Sequence, residues 1–259
     1  MKRVLVIENN GIENLDKYPN ILESQGARVS VFKAHKMKEG DLFPSVDTYD
    51  GFIVGAMPED VHEKDDHYFL TKEWDYLQEI VDSGKPCFGV CGGGQLLAYR
   101  LGAKVHPSPK EIGIYSIKLT DAGASDPLFE GIPREFKGFL WHGNTFEVPE
   151  GGRLLATGGP CPVEGFVKDN IRRFLFHFEV DFEELSRWLD HWEDGLAAVG
   201  KTRDQMLADV RAVEVEMRRN AERLIYNFIK LMGWARYTSG LFSVRLKYRF
   251  DFVSMNFST

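Results

Sequence analysis

Four short apolar runs in the first third of the chain limit its fold more than any other feature. VLVIE (4–8), ARVSVF (27–32), DGFIVG (50–55) and PCFGVC (86–91) are too short for buried helices and rich in β-branched or aromatic residues. Runs of this kind suit strands buried on both faces, as in a parallel sheet covered by helices. Parallel neighbours need a crossover, and the stretch before the fourth run supplies one. Leu70, Trp74, Leu77 and Val81 recur at spacings of four, three and four, which places them on one helical face. Gly84 then stops the helix and Pro86 prevents its continuation.

From 104 to 180 the texture changes to β-rich segments separated by Gly and Pro turns: IGIYSIKLT, FKGFLWHG, RLLATG, VEGFVKD and RRFLFHFEV. These read as strands of hairpins that extend the sheet. Asp181 with Glu184, and Thr202 with Gln205, have the spacing of capping boxes that open two C-terminal helices. The second keeps an apolar stripe through Met206, Val210, Val213, Met217, Ala221, Leu224 and Phe228 until Gly233. The expected architecture is α/β, a three-layer sandwich with a mostly parallel central sheet, plus C-terminal helices. Its expected divisions are an α/β domain over 1–200, a helix packed on it over 201–233, and a tail over 234–259. In the tail, LFSVRLKYRFDF alternates apolar and polar residues, which predicts a strand over 240–253 at a sheet edge or a homodimer contact.

Composition excludes several classes of function. No run among the 259 residues approaches the roughly 18–20 apolar residues of a membrane-spanning helix. A formal charge of −7 argues against binding nucleic acid through its phosphates. Arg218, Arg219 and Arg223 do cluster, but Glu214, Glu216 and Glu222 are interleaved with them as on a solvated helix face. MKRVLVIENN lacks a cleavage site and reads as a first strand instead of a signal peptide. Cys87, Cys91 and Cys161 form an odd set without CxxC spacing, so neither disulfides nor a metal site is expected, and a reducing cytoplasm is the expected location. No cofactor is expected either.

The chemistry centres on GVCGGGQLLA, residues 89–98. A strand, one residue and a glycine-rich helix start form a turn that can lift a nucleophile into the open. The glycines suit the unusual backbone angles and the close approach that such a turn demands. A helix N-terminus beside Cys91 favours thiolate, and the Gly92 N–H is a natural oxyanion donor. By itself the stretch also fits a buried structural cysteine or a phosphate-binding turn, although it lacks the GK[ST] ending of a P-loop. A partner base is needed to decide, and FLFHFEV carries a candidate. His177 and Glu179 are two residues apart, on one face of a strand, so the carboxylate can orient the imidazole toward a thiol.

Together these segments resemble the class I glutamine amidotransferase family. Gly89, Cys91, Gly93 and Gln95 match its G-x-C-x-G-x-Q elbow, and Phe176, His177 and Glu179 its late F-H-x-E segment. DGFIVGAMPEDVHEKD, EIGIYSIKLTDAG, FLWHGNTFEVPEG and CPVEGF look like family segments in the same order, over roughly residues 1–232. The likeness is greatest to stand-alone proteins that resemble the amidotransferase domain of GMP synthase. It implies a flavodoxin-like fold and a Cys91–His177–Glu179 triad that hydrolyses the γ-amide of glutamine, or a γ-glutamyl compound, through a thioester. It implies an oxyanion hole from the N–H of Gly92 and one from Gly55 or Ala56. Gln95 and the backbone of Gly165 and Phe166 would hold the amino-acid end of the substrate. A separate ammonia-accepting synthase subunit is the implied partner where ammonia is transferred.

The chain departs from the family pattern at several places. Ala56 stands where a glycine able to take positive φ is usual, and Gly94 stands where larger residues occur, which would open the wall beside Cys91. Phe178 replaces a common proline, a tolerable change, and Val163 and Glu164 replace more amide-like residues. Ala56 and Gly94 motivate a second reading, a binding or regulatory module that keeps the fold without the reaction. Cys87 reads as structural, His142 as structural or a pocket wall, and Cys161 as a loop residue near the pocket.

Overall fold

The computed structural model describes residues 1–15 and 17–233. The four apolar runs become β1 (Arg3–Glu8), β2 (Arg28–Lys33), β3 (Gly51–Val54) and β4 (Cys87–Val90). β1 pairs with β2 and β3, and β3 with β4, all in parallel. Every residue of β3 and β4 is buried, whereas β2 alternates between half-buried and exposed positions. Its position explains the difference: β2 is the edge of the sheet.

Helices α1 (Lys17–Ser24), α2 (Tyr68–Asp82) and α3 (Cys91–Arg100) follow β1, β3 and β4. The buried face of α2 runs through Leu70, Glu73, Tyr76, Leu77 and Ile80, with Trp74 and Val81 only half-buried. The stripe is therefore turned from the one that apolar spacing predicts. A carboxyl group enters the core there, and Asn9 Nδ2 donates to Glu73 Oε1 at 3.1 Å.

The second half supplies β5 (Val105–Leu119), a short α4 (Asp121–Ala124), β6 (Glu135–Phe146), β7 (Arg153–Gly158), β8 (Gly165–Lys168) and β9 (Ile171–Phe174). β5 pairs with β6 and β7, β7 with β8, and β8 with β9, all antiparallel, while β9 joins β4 in parallel. Among the described residues one nine-stranded sheet results, in the order β2-β1-β3-β4-β9-β8-β7-β5-β6. Parallel pairing thus prevails from β2 to β9 and antiparallel pairing beyond. The topology returns the chain to the centre of the sheet through β9, immediately beside β4 and whatever follows it.

Two helices close the described chain, α5 (Phe182–Trp192) and α6 (Arg203–Leu231). Thr202 and Gln205 form a reciprocal capping box. Asp181 accepts from the Glu184 N–H, but the Glu184 carboxylate turns away to Trp188 Nε1, 2.8 Å distant, so that box is half made. Phe228 of α6 packs edge-on against Phe88 at 4.9 Å, and Asn227 Nδ2 donates to the carbonyls of Leu128 and Glu130. These contacts seat α6 directly on the sheet's core. The strand expected over 240–253, and the dimer contact it would make, lie outside the described residues. No described helix is long and apolar enough to cross a membrane.

Candidate active site

Cys91 is the first residue of α3, immediately after β4, and its φ is +49°. Among the described residues, Asp169 is the only other non-glycine with positive φ. That conformation is strained by about 1–3 kcal/mol and persists only where its surroundings enforce it. Here β4 is buried between β3 and β9, and α3 leaves it with no intervening loop. The strained angle belongs to Cys91 itself, whereas the sequence pattern assigned such angles to the glycines. The glycines serve close approach: a Cβ on Gly93 would stand 2.7 Å from Val54 O, and one on Gly92 would stand 2.7 Å from Met57 Cγ.

β9 ends at Phe174, so FLFHFEV is not one strand. The chain instead makes an isolated bridge at His177, which exchanges backbone hydrogen bonds with Phe139 of β6. His177 Nδ1 lies 2.6 Å from Glu179 Oε1, with both side chains buried. Nδ1 therefore carries the proton and Nε2 is left for another partner. Burial opposes the charged imidazolium, but the carboxylate of Glu179 and the adjacent Cys91 thiol outweigh it and hold the His177 pKa well above its ordinary value. Burial likewise opposes the Glu179 carboxylate, and the His177 charge outweighs it and lowers that pKa.

The surroundings of this pair involve residues that no sequence pattern marked. Tyr18 of α1 is fully buried with its hydroxyl turned to Glu179; burial first, then the carboxylate, pushes its pKa well above the ordinary range. Trp188 of α5 stands edge-on to the His177 ring at 5.2 Å. Glu13 lines the same cleft as Cys91, and burial raises its pKa to about 7 against the pull of the His177 charge. Glu13 and Tyr18 carry no periodic or motif signal. Only folding brings them to the pair.

A cleft of about 420 Å³ opens over Cys91, Gly92 and Gln95, with Met57 and Trp141 among its walls. Cys91 Sγ lies 3.6 Å from the Trp141 carbonyl, and Gln95 Nε2 donates to the Asn144 carbonyl at 3.0 Å. His142 is a wall of the cleft, its Nδ1 3.0 Å from the Asn144 carbonyl; burial lowers its pKa to about 4. Cys87 is buried in β4, and desolvation raises its thiol pKa far above the ordinary value.

Three expectations change. The Gly55 N–H donates to Ile7 O at 2.9 Å, so it is taken by the sheet, and Ala56 is the loop's remaining candidate. Gly165 and Phe166 lie in β8, paired to β7 and β9, and are not among the residues lining the cleft. Gly143 and Asn144 of β6 are among the residues that do line it. A Cβ on Gly94 would face the carbonyls of Gly89 and Phe174, each at 3.0 Å, so Gly94 points between strands and opens no cleft wall. Ala56, moreover, has no positive φ to resist. Neither residue then favours a module without chemistry.

Comparison with known proteins gives the family and the fold. A family model described as glutamine amidotransferase class-I matches residues 6–185. The glutamine amidotransferase-like protein YfeJ of Salmonella typhimurium is 27% identical over 216 residues, 81% of this chain and 90% of that protein. The glutamine-hydrolysing GMP synthase of Lacticaseibacillus rhamnosus is 39% identical over 119 residues, 44% of this chain but 22% of that enzyme. This chain spans less than a third of the GMP synthases it matches. A glutamine amidotransferase structure from Thermotoga maritima superposes with a TM-score of 0.79 at 23% identity, covering 90% of this chain and 99% of that one. One from Methylobacillus flagellatus gives 0.78 at 22%, covering 93% and 99%. At such identities the likeness establishes the fold.

Proposed function

The chain belongs to the class-I glutamine amidotransferase family, and from that premise we propose that it hydrolyses the γ-amide of glutamine or of a γ-glutamyl compound with Cys91, His177 and Glu179. The observation that carries this reading is Cys91 at φ +49° on the floor of a cleft, beside an imidazole whose Nδ1 is held at 2.6 Å by a buried carboxylate. Each feature is inert alone. Together they make an activated thiol.

In the proposed reaction His177 Nε2 takes the thiol proton, and the start of α3 favours the resulting thiolate. Cys91 Sγ attacks the γ-carbonyl carbon. The tetrahedral oxyanion accepts hydrogen bonds from the N–H groups of Gly92 and Ala56, which are fixed by the close contact between the glycines of α3 and the loop after β3. Collapse breaks the C–N bond as His177 gives its proton to the departing ammonia or amine, leaving a γ-glutamyl thioester. Water then attacks the thioester carbonyl, His177 takes a proton from it, and glutamate leaves as Cys91 regains its thiol. Glu179 keeps Nδ1–H in place through both halves, with the Tyr18 hydroxyl turned toward it.

Gln95, His142, Gly143 and Asn144 line the cleft with Cys91, and in this reading they receive the amino-acid end of the substrate. In this reading 1–200 is the catalytic domain and α6 its support. The ammonia either leaves as product or passes to a separate synthase subunit. Glutamate release from glutamine and γ-glutamyl amides by the full chain tests the proposal. Activity should vanish in Cys91→Ala, and a glutamine-like electrophile should add one equivalent to Cys91 by intact mass. Retained turnover in Cys91→Ala, or a folded wild-type protein that is not labelled, overturns it.

A further inference from the structure

Next to the cleft, but outside its lining, three donor groups that the proposed reaction leaves idle are buried together. Glu111 of β5, Cys161 of the β7–β8 loop and Glu164 just before β8 place one carboxyl oxygen, the sulfur and another carboxyl oxygen within 4.8 Å of one another. Glu111 and Glu164 are both 0% exposed. None of their four carboxyl oxygens has a hydrogen-bond partner among the described residues; the Cys161 N–H faces Glu111 without completing a bond. Two carboxyls buried side by side in this way are costly, by several kcal/mol each if ionised. Gly159 leaves the room: a Cβ there would overlap Glu111 Oε1.

A further unpartnered group, on the cleft wall, faces one member of the cluster. His142 Nδ1 faces the Asn144 carbonyl at 3.0 Å, and a carbonyl only accepts, so Nδ1 carries the proton of the neutral ring. Nε2 is then a bare lone pair. It lies 3.5 Å from Glu111 Oε2, the His142 side chain is 1% exposed, and Nε2 has no hydrogen-bond partner among the described residues. A lone pair facing a carboxylate is repulsive unless something positive lies between. The Cys161 thiol donates to Thr145 Oγ1 at 2.9 Å, and that hydroxyl donates to the Val163 carbonyl at 3.3 Å.

We propose that Glu111, Cys161 and Glu164 bind one zinc ion. The thiolate among the donors selects zinc over magnesium or calcium, which take oxygen alone, and three protein donors leave the fourth tetrahedral position open. The ion replaces the protons of Cys161 and of the carboxyls, which leave to solvent on binding. It ties β5 to the β7–β8 loop behind the cleft. Glu111 in turn faces His142 Nε2 at 3.5 Å, and His142 and Gln95 share the Asn144 carbonyl on the adjoining cleft wall. The chain's cysteine spacing did not suggest this site because only one of its donors is a cysteine and Glu111 is far from the β7–β8 loop in the chain.

The test uses the full chain expressed in medium supplemented with zinc, or with cobalt as its spectroscopic substitute. Elemental analysis should find about one zinc per chain, and the cobalt form should show a thiolate-to-metal charge-transfer band in the near ultraviolet. Cys161→Ser should lose that band, and Glu164→Gln should weaken zinc retention against a competing chelator by about 100-fold or more, the upper range of effects seen for supporting residues. Cys91→Ala should keep both metal and band. Circular dichroism checks that each variant is folded, and Glu111→Gln replaces any that is not. A folded wild-type protein with less than about a tenth of an equivalent of metal overturns the proposal in favour of carboxyls sharing protons. So does a band that survives Cys161→Ser or disappears in Cys91→Ala, which would place the ion at the nucleophile.

Discussion

Glu179→Gln isolates the role of a single charge. The substitution keeps the length and volume of the side chain and one oxygen able to accept from His177 Nδ1, now 2.6 Å from the carboxylate. What it removes is the charge that holds the His177 pKa above its ordinary 6.5 despite burial. Hydrogen bonds to charged groups contribute about 1.5–3 kcal/mol against about 0.5–1.5 for neutral ones. If that difference of about 1–2 kcal/mol falls wholly on the thiolate–imidazolium pair, kcat/KM drops about 5- to 30-fold at 1.4 kcal/mol per tenfold. The Tyr18 hydroxyl turned to Glu179 makes the loss larger. A hydroxyl that binds the new carbonyl oxygen turns the amide nitrogen toward Nδ1, which moves the ring proton to Nε2, the wrong tautomer for accepting from Cys91. The rate of Cys91 labelling by a glutamine-like electrophile, read by intact mass across pH, measures the effect whichever γ-glutamyl compound is the substrate. Imidazolium stabilisation is complete below 6.5 and lost as pH rises through the raised folded-state value, so in Glu179→Gln the loss should begin at lower pH. Labelling within twofold of wild type, with an unchanged His177 titration by nitrogen NMR, would refute the assignment of Glu179.

Three further outcomes are expected. Cys91→Gly should be more stable than Cys91→Ala by about 1 kcal/mol in urea denaturation, the reverse of an ordinary helix position, because φ at Cys91 is +49°; the ordinary order would mean that the strain is absent. Gly93→Ala should lower Tm by roughly 3–10 °C, since its Cβ would meet backbone atoms of Val54 at 2.7 and 2.9 Å, and overpacking costs about 1–3 kcal/mol. It should also slow labelling by displacing the loop after β3, and an unchanged Tm would count against the close contact. Burial first raises the Glu73 pKa from 4.5 to about 8, so between those values the folded state keeps a proton that the unfolded state has released, and stability falls as pH rises. Glu73→Gln should remove that part of the slope when urea midpoints at pH 5 and pH 8 are compared; an unchanged slope would show that Glu73 is not its source.

The amino-acid sequence by itself determined the first four strands, the helices α2 and α3, the capping box of α6 and the Asp181 half of the box at α5. These follow from periodicity and cap chemistry, which act between residues close in the chain. It also marked Cys91, His177 and Glu179, because the turn that bears a nucleophile and the pair that orients a base are local patterns. Local pattern stopped short elsewhere. Strand β2 read as doubly buried until the sheet order placed it at an edge, and FLFHFEV read as one strand until the bridge to Phe139 bent the chain at His177. Whether the Gly55 N–H is available depended on Ile7, and the cleft is lined by Gly143 and Asn144 but not by Gly165 and Phe166. Glu13, Tyr18 and Trp188 around the triad, and Glu111, Cys161, Glu164 and His142 behind the cleft, are scattered along the sequence without spacing or motif. Only the tertiary structure could join them, because burial, field and coordination are set by distance in space, and distance along the chain does not encode it.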